Sequence, residues 1–161
     1  MRFILRQREI VADEWTHLGE QLDPGAPLIV PLAELRAEPR WCARPGRLGV
    51  RIQPADRIEG LLEEVPRLEL IAVEFPSPGD GRGYSQGRLL RERCRFRGEL
   101  RAVGSGVKQD QVFLLSRCGF DAIELAPGEN LEAARRALGR YSVAYQPGAA
   151  AVALAAQRFP A

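Results

Sequence analysis

Lysine is nearly missing from this chain: of its 23 basic side chains only Lys108 is lysine, and the others are arginine. Histidine occurs once, at His17, and methionine once. The three cysteines, Cys42, Cys94 and Cys118, are odd in number and far apart, with no C-x-x-C pair. That spacing excludes a zinc module and a secreted disulfide framework, and it points to a reducing, cytoplasmic setting. No long apolar run is present. Ala149 to Ala156 is the longest low-polarity stretch, well short of the roughly 20 residues that span a bilayer. At the N-terminus Arg2 and Arg6 interrupt Phe3-Ile4-Leu5 before a signal-peptide core can form. Charge of one sign is lacking too. A formal net charge of +2 excludes a general nucleic-acid binder, whose affinity rests on neutralising many phosphates.

What is present describes one globular domain. At 161 residues, 45% hydrophobic and 27% charged, the chain can build a full core without disulfides or a structural metal. The sequence divides into an opening segment with Trp15 (1–20), a repeat of short apolar runs and helix-period segments (27–145), and an Ala-rich tail (146–161). Phe3-Ile4-Leu5 and Glu9-Ile10-Val11, around Arg6-Gln7-Arg8, predict a β-hairpin. Strands are then expected at Leu28 to Val30, Leu48 to Ile52, Leu68 to Phe75, Glu99 to Val103, Ala122 to Leu125 and Tyr141 to Tyr145. Helices are expected at Leu32 to Glu38, Pro54 to Glu64, Tyr84 to Arg95, Val107 to Cys118 and Asn130 to Leu138. In the fourth of these, Val107, Leu114, Leu115 and Cys118 form the expected buried stripe. The alternation predicts an α/β fold with a mostly parallel sheet, either open and doubly wound or a partial βα barrel. The barrel form needs its edge closed by a partner subunit or by Tyr141 to Tyr145.

The chemistry-bearing segment follows the strand ending at Phe75. Gly79-Asp80-Gly81-Arg82-Gly83-Tyr84-Ser85 runs into a helix start, where alternate glycines let backbone approach a ligand and the dipole favours an anion. Arg82 supplies an oxyanion fork, Gly83, Tyr84 and Ser85 add backbone and hydroxyl donors, and Asp80 can steer Arg82 or act as a base. The same residues also fit a plain polar loop with Ser85 as helix N-cap. The loop is neither a dinucleotide fingerprint nor a Walker A loop. Glu74 and Glu124, near strand ends, are further acid/base candidates with Arg101 between them, or else parts of a buried ion pair. Arg88, Arg91 and Arg95 offer a charged docking face. His17 stands outside the repeat; Cys94 and Cys118 read as small core residues, leaving Cys42 as the reactive-thiol candidate. No residue set names a metal or a cofactor, although a flavin can bind at strand ends without a fingerprint.

Val73-Glu74-Phe75-Pro76, Asp80 to Ser85, Arg88 to Arg93, Gly98 to Gly104, Asp110-Gln111 and Arg117 to Ala122 together resemble a bacterial domain-of-unknown-function family. That family carries the label of an oxidoreductase involved in sulfite reduction. The resemblance is close over about residues 48 to 125. It departs at Ser105-Gly106, where relatives carry an acidic or amide residue after the strand, and at Gly87, where alanine is usual. It implies an accessory or redox role in assimilatory sulfite reduction; joined to the residue reading, the expectation is a small oxyanion or anionic cofactor bound at the strand ends through Arg82, Ser85 and Arg101. The alternative is a non-enzymatic partner or maturation factor docking to sulfite or nitrite reductase. It brings no catalytic residues and no cofactor.

Overall fold

The computed structural model describes residues 1–140 except Leu22 and Pro24, so the strand expected at Tyr141 to Tyr145 and the Ala-rich tail lie outside the described residues. The hairpin forms as expected: β1 (Phe3–Arg6) pairs antiparallel with β2 (Glu9–Ala12). Its two-residue turn holds Gln7 and Arg8 at φ 47° and 73°, the left-handed geometry that suits the twist of paired strands.

Strand β3 (Thr16–His17) follows, then β4 (Leu28–Pro31) and the short helices α1 (Leu32–Ala37) and α2 (Arg40–Ala43). Next come β5 (Leu48–Ile52), α3 (Leu61–Glu64), β6 (Leu68–Glu74) and α4 (Arg82–Glu92). The described chain ends with β7 (Glu99–Val103), α5 (Val112–Arg117), β8 (Ala122–Ile123) and α6 (Leu131–Gly139). The eight strands form one sheet in the order β2-β1-β8-β7-β6-β5-β4-β3. From β3 to β8 every pairing is parallel, and only the hairpin, joined to β8 through Leu5–Ile123 and Arg6–Ala122, is antiparallel.

This order decides between the two architectures. A doubly wound sheet requires the strand order to reverse so that helices fall on both faces. Here each parallel strand lies beside its predecessor, so repeated right-handed crossovers carry the helices to one face and the sheet curls into a half-barrel. The core divides accordingly. On the convex side Val50, Ile71, Val73, Leu100 and Ala102 pack with helix residues Leu35, Leu90 and Leu115. On the concave side Trp15, Ile29, Leu70, Ala72 and Val103 form a separate cluster. Trp15 lies so close over β5 that a Cβ on Gly49 would sit 3.2 Å from its ring and 3.1 Å from Leu70. The curl brings opposite ends of the parallel run together, since His17 of β3 reaches Glu124, just past β8, at 3.0 Å.

Three expected helices change. Only Leu61–Glu64 of the span from Pro54 is helical, because Gln53 and Asp56 close a turn on each other and Gly60 adopts φ 80°. The helix expected from Val107 starts at Val112: the Val107 carbonyl accepts from Ala126 N, outside any helix. Leu114 is consequently exposed, and Val112 and Leu115 are the buried pair. Helix α4 begins two residues before Tyr84 and stops at Glu92, with Arg95 beyond it at φ 54°.

Candidate functional site

The glycine-bearing loop departs from the carboxyl end of β6, the longest strand among the described residues, whose Leu70 to Val73 are fully buried. Asp80 organises it. Its carboxylate accepts from Arg82 N (3.2 Å), Nε (3.0 Å) and Nη2 (2.7 Å). These bonds hold Asp80 below the ordinary carboxylate range and push Arg82 up. None of Gly79, Gly81 and Gly83 adopts positive φ, so backbone freedom is not their role. Gly83 instead makes room for a ring: a Cβ there would stand 2.6 Å from Phe75 Cζ. Tyr84 packs edge-on against the same ring with centroids 5.0 Å apart, and burial, then Cys118 and Asp110, push its phenol up. Arg82 and Ser85 are exposed one turn apart, while Gly83 is buried. Ser85 lies inside the first turns of α4, so Gly81, not Ser85, is the N-cap. The next loop is laced onto this one through Ser105 Oγ to Pro76 O (2.7 Å) and Gly106 N to Phe75 O (2.8 Å).

Arg101 does not join Arg82. Its side chain is completely buried on the concave face, with Nη1 donating to Asp13 (2.9 Å) and Nε to Glu99 (2.9 Å), and with Glu124 at 3.8 Å. Asp13, 1% exposed, also takes Arg2 and the Trp15 amide. Burial pushes the Asp13 carboxyl up, but the hydrogen bond and charge of Arg101, with help from Trp15 N and Arg2, bring it below the ordinary value. Glu124 behaves alike: burial raises it, and His17, Arg2 and Arg101 together lower it further. Glu74 is not in this cluster. It forms a fork with Arg51 of β5, Nε to Oε2 at 3.1 Å and Nη2 to Oε1 at 2.9 Å. All three carboxylates named as acid/base candidates are therefore ion-paired, Glu74 with Arg51, Asp80 with Arg82 and Glu124 with Arg2 at 3.6 Å.

The Arg51–Glu74 pair lines a cleft of about 300 Å³ with Pro31, Leu32, Ala33, Gln53 and Asp56. These residues sit at the carboxyl ends of β4, β5 and β6, the rim where βα barrels and open α/β sheets place their ligands. Gln86 of α4, buried, fixes the lip by donating to Gln53 O (2.9 Å) and Asp56 O (3.2 Å). Arg51 is the residue that reading the sequence missed. It is the charged member next to the end of an otherwise apolar strand, the same signal that singled out Glu74.

The three arginines of the expected docking face separate. Arg88 is exposed and paired with Glu92 at i, i+4. Arg91 turns inward, donating to the carbonyls of Gly119 (2.9 Å), Phe96 (2.7 Å) and Gly98 (3.0 Å) and pairing with Asp121. Arg95 is exposed beyond the helix end. Burial raises the thiols of Cys94 and Cys118, and Cys42 packs half-buried against the core. Among the described residues no group of three His, Cys, Asp or Glu is placed to hold a metal, and no helix is long and apolar enough to cross a membrane.

Residues 49–154 match the model of a family described as "Bacterial protein of unknown function (DUF934)". The matched stretch starts within β5, covers well over half of the chain and takes in Arg51, Asp56 and Glu74. No curated protein matches the chain.

Proposed function

We propose a function for a chain that belongs to the DUF934 family of bacterial proteins of unknown function: it binds a small ligand bearing an oxyanion group at the carboxyl ends of β4 to β6. The observation that carries this reading is the 300 Å³ cleft with the Arg51 guanidinium in its wall. Arg51 gives its Nε and Nη2 fork to Glu74 and keeps its remaining donors for an oxyanion, and a cleft of this size lies at the lower limit of ordinary ligand pockets. Arg82, the first residue of α4 after the β6 loop, is the second place such a group can dock, in competition with Asp80. The sulfite-reduction setting comes from the sequence resemblance alone. It makes sulfite, sulfate and an anionic cofactor such as a flavin nucleotide the first ligands to try, and it casts the protein as an accessory or redox component there.

Thermal unfolding with sulfite, sulfate, phosphate and flavin mononucleotide tests the reading. A ligand at 100 times its Kd adds about 2.7 kcal/mol, which raises Tm of a domain this size by about 5–10 °C. Arg51→Ala abolishes the shift and Arg82→Ala leaves it; the reverse pattern moves the site to the loop. No shift with any of them, together with co-purification with sulfite or nitrite reductase that depends on the exposed Arg88 and Arg95, replaces the ligand reading with a docking one.

A further inference from the structure

We propose that the ligand of this cleft carries a protonated amine beside its oxyanion group, so that it is a small amino-acid-like zwitterion. The inference rests on the binding reading above and deepens it. The lining holds one guanidinium, Arg51, and two carboxylates: Glu74, which pairs with it, and Asp56, whose charge also acts on Arg36. A bare divalent anion entering there meets more negative than positive charge, whereas a ligand of both signs satisfies each.

The hydrogen-bonding inventory agrees. Glu74 engages Arg51 through Nε and Nη2, which leaves the rest of the five-donor guanidinium for a ligand oxygen. Asp56 accepts from Gln53 N through Oδ2 at 2.7 Å, so Oδ1 and the outer lone pairs of Glu74 remain as acceptors for an ammonium with three donors. The remaining lining of Pro31, Leu32 and Ala33 is apolar and suits a short aliphatic part. At about 30 Å³ per water-sized group, 300 Å³ accommodates on the order of ten heavy atoms.

The full chain is titrated calorimetrically with glycine, serine and taurine, and separately with propionate, ethanolamine and sulfate. At least one zwitterion should bind tenfold or more tightly than any of the compounds that carry charge of one sign only. Glu74→Gln should cut zwitterion affinity about tenfold and leave propionate unchanged or stronger, while Arg51→Ala should abolish both. Sulfate or propionate binding as tightly as every zwitterion, with Arg51→Ala still abolishing it, overturns this inference and leaves the binding reading intact. Binding by none of the six overturns the zwitterion, and if sulfite, phosphate and flavin fail as well the binding reading falls with it.

Discussion

Arg101→Met removes a cation that is completely shielded from water while keeping most of its volume, and the carboxylates around it make the consequence calculable. Taking one partner from a buried ion pair costs about 3–5 kcal/mol, because the remaining charge is left desolvated. The lower end applies here: Arg2 stays on Asp13 at 2.8 Å, and His17 stays on Glu124 at 3.0 Å. A loss of about 3 kcal/mol at pH 7 corresponds to a fall in Tm of about 6–12 °C.

The pH dependence separates this electrostatic cost from lost packing. In the wild type, Asp13 and Glu124 are held below their ordinary values, so they contribute stability above the unfolded carboxylate range near 4, lost as pH falls through their folded values. Without Arg101 the strongest influence lowering Asp13 is gone, so its carboxyl rises from its wild-type position even with Trp15 N and Arg2 still on it. The variant then loses less stability on acidification, and the gap between the two proteins narrows. Urea unfolding at pH 7 and at about pH 3 measures both gaps. Asp13→Asn in the Arg101→Met background should recover part of the loss at pH 7. A cost below about 1 kcal/mol at pH 7, or an equal cost at both pH values, would refute the account of Arg101 as the centre of a buried charge cluster.

Two further changes test the packing around α4. Gly87→Ala gains about 1 kcal/mol of helix propensity, but its Cβ would stand 2.5 Å from Phe120 Cε2. Phe120 is itself buried against Phe75, with ring centroids 5.8 Å apart, so overpacking of about 1–3 kcal/mol prevails. Thermal unfolding should show a net loss near 1 kcal/mol, and a stabilised variant would contradict it. Arg91→Met should cost about 2–4 kcal/mol, since it takes a donor from three carbonyls and leaves Asp121 with the Leu100 amide but no counter-charge. Arg88→Ala, on the exposed Glu92 pair, should change stability by less than about 0.5 kcal/mol. Equal effects of the two substitutions in urea unfolding would show that Arg91 is no tie between α4 and the sheet.

What could be read from the sequence is what local chemistry determines. Leu28-Ile29-Val30 and Leu70 to Val73 announce strands because unbroken β-branched and aliphatic runs suit a sheet covered on both faces. The choice between a reversing and a sequential strand order is invisible at that level, since a crossover helix has the same periodicity whichever side its next strand takes. Gly83 shows a related limit: its spacing suggested backbone freedom, but the Phe75 ring sets the demand, as Phe120, distant in sequence, does at Gly87. The charged groups divide the same way. Asp80 and Arg82 are two residues apart and their pairing follows from that separation, whereas Asp13 and Arg101 meet across 88 residues through the curl of the sheet. His17 looked peripheral because it precedes the βα repeat, but pairing of β3 with β4 carries it to the same rim as Glu124. Arg51 was concealed for a different reason. In a chain whose cations are almost all arginine, one more arginine carries little weight until its strand is seen to end in a cleft beside Glu74. The inward alternation of β5 fixes that position, since Gly49 two residues earlier faces Trp15 on the concave side. Strand parity combined with strand-end position, applied to every charged residue and not only to the acidic ones, therefore marks both members of the Arg51–Glu74 pair.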